Sequence, residues 1–173
     1  RQWGGDQIEL RGGKALFRLR QEEIQYWEGV SGFVKRERVY QQGLEFRSNK
    51  INLKMIPGKI LAEGNLWLKR QGLAARGRRG EIYLGGERKK LKYFVIYDDV
   101  RIVEKVNLRH RSFKRRAFCE KLEGLMDQDK MILTGYPKVF QLNDVVKGNR
   151  IILRENNEVV EVEDANTRFK IGE

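Results

Sequence analysis

Residues Met131–Asp164 read MILTGYPKVFQLNDVVKGNRIILRENNEVVEVED, and this stretch decides the fold. Five strand-like runs follow one another: Met131–Thr134, Lys138–Leu142, Val145–Lys147, Asn149–Leu153 and Glu158–Glu163. Each is rich in β-branched or large apolar residues, and apolar alternates with polar, the pattern of a half-buried strand. Ile151 and Leu153 face one way, Arg150 and Arg154 the other; Val160 and Val162 oppose Glu161 and Glu163. Asn156–Asn157 tolerates positive φ and closes a hairpin between the last two runs. Gly148 marks a bend, and Pro137 suits a strand start or edge.

The same shape recurs upstream. KILAEGNLWLK (Lys59–Lys69) parallels MILTGYPKVFQ, and YFVIYDDVRIV and EIQYWEGVSGFV repeat it: strand, small or polar hinge, strand. The hinges at Gly29, Gly64, Asp98 and Gly135 are spaced by roughly 35 residues, a period that signals repeat architecture.

From Lys14 onward further runs arrive in close succession: Ala15–Arg20, Ile24–Glu28, Phe33–Tyr40, Leu44–Ser48, Ile51–Ile56, Ile60–Glu63, Leu66–Lys69, Leu73–Arg76, Glu81–Leu84, Leu91–Tyr97, Val100–Lys105 and Phe113–Cys119. Pro57–Gly58 and Gly85–Gly86 read as turns. Helical periodicity is weak even at its best candidate, Cys119–Met126, which lacks an N-cap. Closely spaced strands with turns between them predict an all-β sandwich or roll. Residues 1–13, punctuated by glycines, read as a lead-in, and residues 14–173 as a single domain. Thr167–Ile171 reads as a last strand.

The apolar faces predict an interior of Phe33, Leu44, Phe46, Ile51, Leu53, Leu66, Leu68, Ile82, Leu84, Phe94, Ile96, Val100, Ile102, Leu133, Phe140, Ile151, Leu153, Val160 and Val162. Two readings stay open. One is a sealed core, the other a groove for lipid chains, because burying an acyl chain and burying a neighbouring leucine use the same physics.

Composition bounds the function. The chain has 173 residues, 40% of them hydrophobic, enough for one domain with a core. No run reaches the length of a membrane-spanning helix. The first residue is Arg1, compatible with a leader or anchor having been removed. The single cysteine, Cys119, forms no internal disulfide and reads as a small buried residue. Net charge is +12, which favours anionic partners such as nucleic acid, phosphorylated lipid or a membrane surface.

Catalytic patterns are missing. The one histidine, His110, lies between Arg109 and Arg111, a setting that favours its neutral form. It has no partnered nucleophile nearby. One Cys and one His are too few for a zinc site, and Asp127-Gln-Asp129-Lys lacks the other ligands of a calcium loop. The sequence is therefore read as that of a non-enzyme with no cofactor and no metal.

Basic residues cluster twice, at Lys105, Arg109, Arg111, Lys114, Arg115, Arg116 and Lys121, and at Arg76, Arg78, Arg79, Arg88, Lys89, Lys90 and Lys92. From Glu155 onward acidic residues dominate. Such runs suit a solvated strand face, phosphate binding, or the docking of a basic end onto an acidic one. Arg76, Arg78, Arg79, Arg115 and Arg116 are the candidate phosphate contacts, with Gly77–Gly80 as a basic turn.

Leu133–Ala165 resembles the repeat of the OstA-like family, that of the periplasmic lipopolysaccharide-transport proteins LptA and LptC and the N-domain of LptD. Gly135, Pro137, Val139, Gly148, Ile151, Leu153 and Val160 match its motif, and Gly64-Asn65-Leu66 matches its hinge again. The hinges at Gly29 and Asp98 depart from it, and Lys105–Lys121 is longer and more basic. The resemblance implies an open-ended, twisted, taco-like β-jellyroll of roughly 14–18 short antiparallel strands. It implies a non-enzymatic periplasmic protein that shields the acyl chains of lipopolysaccharide, through lipid A, in an apolar groove. Phe46, Leu53, Leu66, Leu68, Ile82, Leu84, Phe94, Ile96, Ile102, Leu133, Phe140, Ile151, Leu153 and Val160 would line that groove. Partners would be other Lpt proteins, or further copies joined head to tail, at the strand edges. The regular C-terminal repeat favours the bridging LptA type over the anchored LptC type.

A basic β-barrel that binds nucleic acid is the alternative. It rests on net charge and on Tyr83, Tyr93, Phe94 and Tyr97 near Lys and Arg. These rings form no clear exposed platform, so no nucleic acid is expected. A third reading is a β-solenoid scaffold with a sealed core and no lipid.

Overall fold

The computed structural model describes residues 2–3, 6–34, 43–85, 90–164 and 167–171. Three short strands open it: β1 (Gln2–Trp3), β2 (Asp6–Arg11) and β3 (Lys14–Arg18). Strand structure thus begins within the stretch read as a lead-in. Six long strands follow: β4 (Glu23–Val34), β5 (Leu44–Lys54), β6 (Lys59–Arg70), β7 (Leu73–Gly85), β8 (Lys90–Asn107) and β9 (Ser112–Leu125). Six short ones complete the chain: β10 (Lys130–Thr134), β11 (Lys138–Gln141), β12 (Asp144–Lys147), β13 (Arg150–Arg154), β14 (Val160–Asp164) and β15 (Thr167–Ile171). The five runs of the deciding stretch are β10 to β14. The expected strand Phe33–Tyr40 is described only to Val34, and Gly86, Arg88 and Lys89 lie outside the described residues.

All described pairings are antiparallel, and the strands join into one sheet. Sequential neighbours pair from β4 through β10, as connections by short turns dictate. The protein is all-β, an open-ended jellyroll built from a single folded sheet.

Many of its strands are not short, which corrects the expectation. Leu44–Ser48 and Ile51–Ile56 are halves of β5, and the runs of β6, β7 and β8 merge in the same way. The hinges between them are bulges, not turns. At Trp27/Val30, Glu63/Leu66 and Tyr97/Val100, two residues face one on the following strand. Those residues are Glu28–Gly29, Gly64–Asn65 and Asp98–Asp99, and all six have positive φ. Gly135–Tyr136, between β10 and β11, also has positive φ at both positions. These are the four hinges of the repeat. A bulge bends its strand and sharpens the local twist. Aligned across neighbouring strands, the bulges form a crease along which the sheet folds over.

The crease divides the sheet into two layers. Layer I holds β3, the Glu23–Trp27 part of β4, and β10, β13, β14 and β15. Layer II holds β2, the Val30–Val34 part of β4, and β11 and β12. Strands β5 to β9 run through both. At each end one long strand is flanked by two collinear short ones: β2 and β3 along β4, and β10 and β11 along β9. The last strand, β15, pairs with β14 alone, so the described sheet does not close into a barrel.

One contiguous apolar cluster fills the space between the layers, with Phe46, Ile51, Leu68, Phe94, Ile96 and Leu133 wholly buried. Two residues expected inside lie outside: Phe33 is 38% exposed and Phe140 40% exposed. In β4 the inward positions are Val30 and Gly32, and the ring of Phe46 occupies the space over Gly32. In β11 Val139 and Gln141 point inward, so Phe140 must point outward, where its ring meets Phe118 edge-on at 5.8 Å. The pair Val-Phe is too short a run for alternation to settle.

Candidate functional site

The site is the apolar trough between the layers together with its mouth, the seam between the layer ends opposite the crease. Apart from Phe140, every residue expected to line a groove is buried: Phe46, Leu53, Leu66, Leu68, Ile82, Leu84, Phe94, Ile96, Ile102, Leu133, Ile151, Leu153 and Val160. Their side chains belong to one cluster, so the trough is filled by its own residues rather than standing open. Fully burying one Leu, Ile or Phe contributes about 1.5–3 kcal/mol. The layers are therefore held together by the very surface that would shield a lipid chain.

Polar residues close the mouth. Arg115, expected to contact phosphate, is 1% exposed. It occupies an inward position of β9, two residues before Ala117, and its guanidinium is spent inside the fold. Nε and Nη2 donate to Glu104 Oε2 at 3.0 and 2.7 Å, and Nη1 donates to Gln141 Oε1 at 3.1 Å. The same group reaches across to layer I, donating to the carbonyl oxygens of Asn157 at 2.9 Å and Arg154 at 3.3 Å. A fully satisfied buried pair of this kind specifies position.

The loop between β13 and β14 carries the layer I side of this closure. Glu155 lies 3.6 Å from Arg70, and Asn156 Oδ1 accepts from the Asn107 amide at 3.3 Å. The Glu158 carbonyl accepts from Gln141 Nε2 at 2.7 Å, and the Glu158 carboxylate pairs with Arg111. Four consecutive loop residues thus bind four strands and one loop of layer II. Asn156 has the positive φ expected of it, and Asn157 Oδ1 accepts from the Val159 amide at 2.8 Å, which shapes the loop. We call this loop the latch.

Beside the latch lies a cleft of about 330 Å³. Arg70, Lys105 and Lys130 line it with Glu104, Asp129 and Glu155, and its apolar lining includes Leu73 and Met131, both members of the core cluster. The cleft therefore joins a charged rim to the trough. Burial pushes the Glu104 carboxyl above its ordinary pKa, against the opposing pull of Arg115. Sequence reading missed Arg70, Glu104 and Gln141. The readable signal was phase: Glu104 follows Val100 and Ile102 at two-residue steps, a charge where a core residue belongs.

The other candidate phosphate contacts are exposed but not gathered. Arg78 and Arg79 sit at the crease, where Arg79 pairs with Asp98 at 3.0 Å and covers the Tyr97 ring. Arg76 and Arg116 lie on the outer face of layer II. The tyrosines of the nucleic-acid reading are engaged: Tyr93 donates to Glu123 at 2.6 Å, which together with burial raises its pKa, and Tyr83 donates to Glu81. Phe94 is inside. Cys119 is buried as expected, and burial pushes its thiol up to about 12. No group of three or more candidate metal ligands occurs among the described residues. No helix among them is long and apolar enough to cross a membrane.

No family profile and no curated protein sequence matches the chain. Among solved structures it is similar to the crystal structure of LptH, the LptA homologous periplasmic component of the conserved lipopolysaccharide transport device from Pseudomonas aeruginosa. The two are 12% identical over 96% of this chain and 95% of that one, with a TM-score of 0.45.

Proposed function

We propose that the protein is a non-enzymatic carrier of an amphipathic glycolipid of the lipopolysaccharide type, working in the periplasm. The observation that carries this reading is the folded sheet. Its apolar face is continuous across both layers, yet among the described residues the sheet is unclosed, with free edges at both ends. Acyl chains would enter at the mouth by displacing core contacts between the layers, which requires the latch to release. Arg70, Lys105 and Lys130 would face the phosphates of the head group at the cleft. The edges of β15 and β12 at one end, and of β1 and β3 at the other, would pair with a further copy or a partner of the same pathway, as exposed edges readily do.

Photo-crosslinking tests the reading. A crosslinker at Leu68 or Ile151 is expected to capture lipopolysaccharide, while one at Lys54, exposed on the outer face of layer I, is expected not to. Capture at Lys54 alone, or at none of the three in a sample that binds lipid, would leave the sealed-core scaffold as the better account. Light scattering across a concentration series reads the edges: growth in mass supports end-to-end pairing, and constant mass rejects it.

A further inference from the structure

The two outer faces of the sheet differ in a way the trough does not explain. On layer I, most described cations have a carboxylate partner, although Lys130 stands opposite Arg154 and Lys54 opposite Lys59. Lys59 pairs with Glu81 at 3.1 Å, Lys121 with Glu123 at 3.2 Å, Arg150 with Glu163 at 2.9 Å and Arg154 with Glu161 at 3.4 Å.

On layer II, like charges stand opposite one another. The register places Arg76 against Arg101, Lys105 against Lys114, and Lys138 against Lys147. Directly opposed like charges destabilise a sheet. Arg101 is relieved by Asp99 at 3.4 Å. Among the described residues no carboxylate lies within ion-pair distance of Arg76, Arg116, Lys138 or Lys147.

The cations are interleaved with exposed apolar side chains. One cross-strand row runs Val103, Arg116, Phe140, Val145; the next runs Arg76, Arg101, Phe118, Lys138, Lys147. Val103, Phe118, Phe140 and Val145 are each 40–53% exposed, and Leu142, at the turn after β11, is 57% exposed. Trp67 extends the second row beyond Arg76, with Arg47 over its ring. Seven strands take part, so the strip is about 29 Å across at an inter-strand spacing of roughly 4.8 Å.

We propose that this outer face of layer II docks on an anionic lipid bilayer, with Lys and Arg at the headgroup phosphates and Phe140, Leu142 and Val145 dipping into the interface. Contiguous exposed apolar surface rimmed by polar groups marks an interaction site. Cations beside it select an anionic partner. A membrane is favoured over nucleic acid because Val103, Leu142 and Val145 offer no stacking face to a base. They do gain by leaving water for the acyl boundary. The surface is separate from the trough and does not depend on a lipid being held there.

Co-sedimentation of the full chain with vesicles tests this. The probes are phosphatidylcholine vesicles and the same vesicles with roughly a third phosphatidylglycerol, an anionic surface that rewards each basic residue. Binding is expected only to the second, weakening with salt. Arg76→Gln with Lys138→Gln should weaken it roughly thirty-fold. Lys54→Gln with Lys92→Gln, on layer I, should change it less than about threefold. Phe140→Ser with Val145→Ser should remove the part of binding that survives high salt, while leaving crosslinking at Leu68 unchanged. Equal losses from the two faces would reduce the effect to net charge and overturn the proposal. So would equal binding to both vesicles. Tighter binding of a single-stranded oligonucleotide, lost in the same layer II variants, would reassign the face to nucleic acid.

Discussion

Replacing Arg115 by Met should unlatch the mouth and expose what the buried pair contributes. The native guanidinium makes five hydrogen bonds, two of them to the Glu104 carboxylate, at a site shut off from water. Met fills a similar volume and restores none of them. Glu104, only 4% exposed, is left as an uncompensated buried acid. Breaking a buried pair from one side costs about 3–5 kcal/mol. Total domain stability is about 5–15 kcal/mol, so this is a large share of it. The corresponding fall in Tm is roughly 10 °C for a chain of this size.

The sign of the pH effect follows from Glu104. Burial already holds its folded pKa above the ordinary value of 4.5, and loss of Arg115 removes the main opposing influence. A raised folded pKa means the folded state binds the extra proton. The destabilisation is therefore fully present above the folded pKa and relieved as pH falls through it toward the unfolded value. Urea titrations at pH 7 and pH 5 measure it, and the double variant Arg115→Met with Glu104→Leu should recover most of the loss. A loss below about 1 kcal/mol, or one that does not change with pH, would refute the reasoning, because a surface pair behaves that way. In the carrier reading, Arg115→Met should also raise crosslinking of lipopolysaccharide at Leu68, since the latch restrains the mouth.

Leu133→Ala, inside the trough, should cost about 2–5 kcal/mol, and Phe140→Ala, on the outer face, under about 1 kcal/mol; urea unfolding of each distinguishes the faces. At the crease, Gly64→Ala places a Cβ 2.6 Å from Asn49 Nδ2 at a φ of +80°. It should cost about 3 kcal/mol, whereas Gly29→Ala, with φ of +70° but nothing within 4 Å, should lose about 1–2 kcal/mol from backbone strain alone. The two losses come from the same thermal or urea melts, and equal values would mean the crease gives way freely. Cys119, buried and with its thiol held up to about 12, should react with a disulfide reagent at neutral pH only after denaturant is added.

Much of this architecture could be read from the chain. The shared inward phase of Ile151, Leu153, Val160 and Val162 is a local property, because successive side chains in a strand point to opposite faces. The hinges at Gly29, Gly64, Asp98 and Gly135 were visible too, as small or polar residues tolerant of positive φ, at a regular spacing. Alternation cannot say whether a hinge ends a strand or bends it. That depends on whether the neighbouring strand continues past it, a non-local fact, and here β5, β7 and β9 do continue. The same limit misplaced Phe140, whose face was set by the inward register of Val139 against Ala117.

Charge was legible as a sum and illegible as a distribution. The amino-acid sequence by itself determined that the protein is basic, apolar enough to fold and two-faced along its strands, and it carries no set of catalytic residues in recognisable spacing. Tertiary structure alone decided that Arg115 is buried against Glu104, that the β13–β14 loop latches the mouth, and that Arg76, Arg116, Lys138 and Lys147 come together on layer II beside Phe118 and Phe140. The physical reason is one of range: which face a side chain takes depends on the residues next to it, but which charge it meets depends on strands brought together from far along the chain.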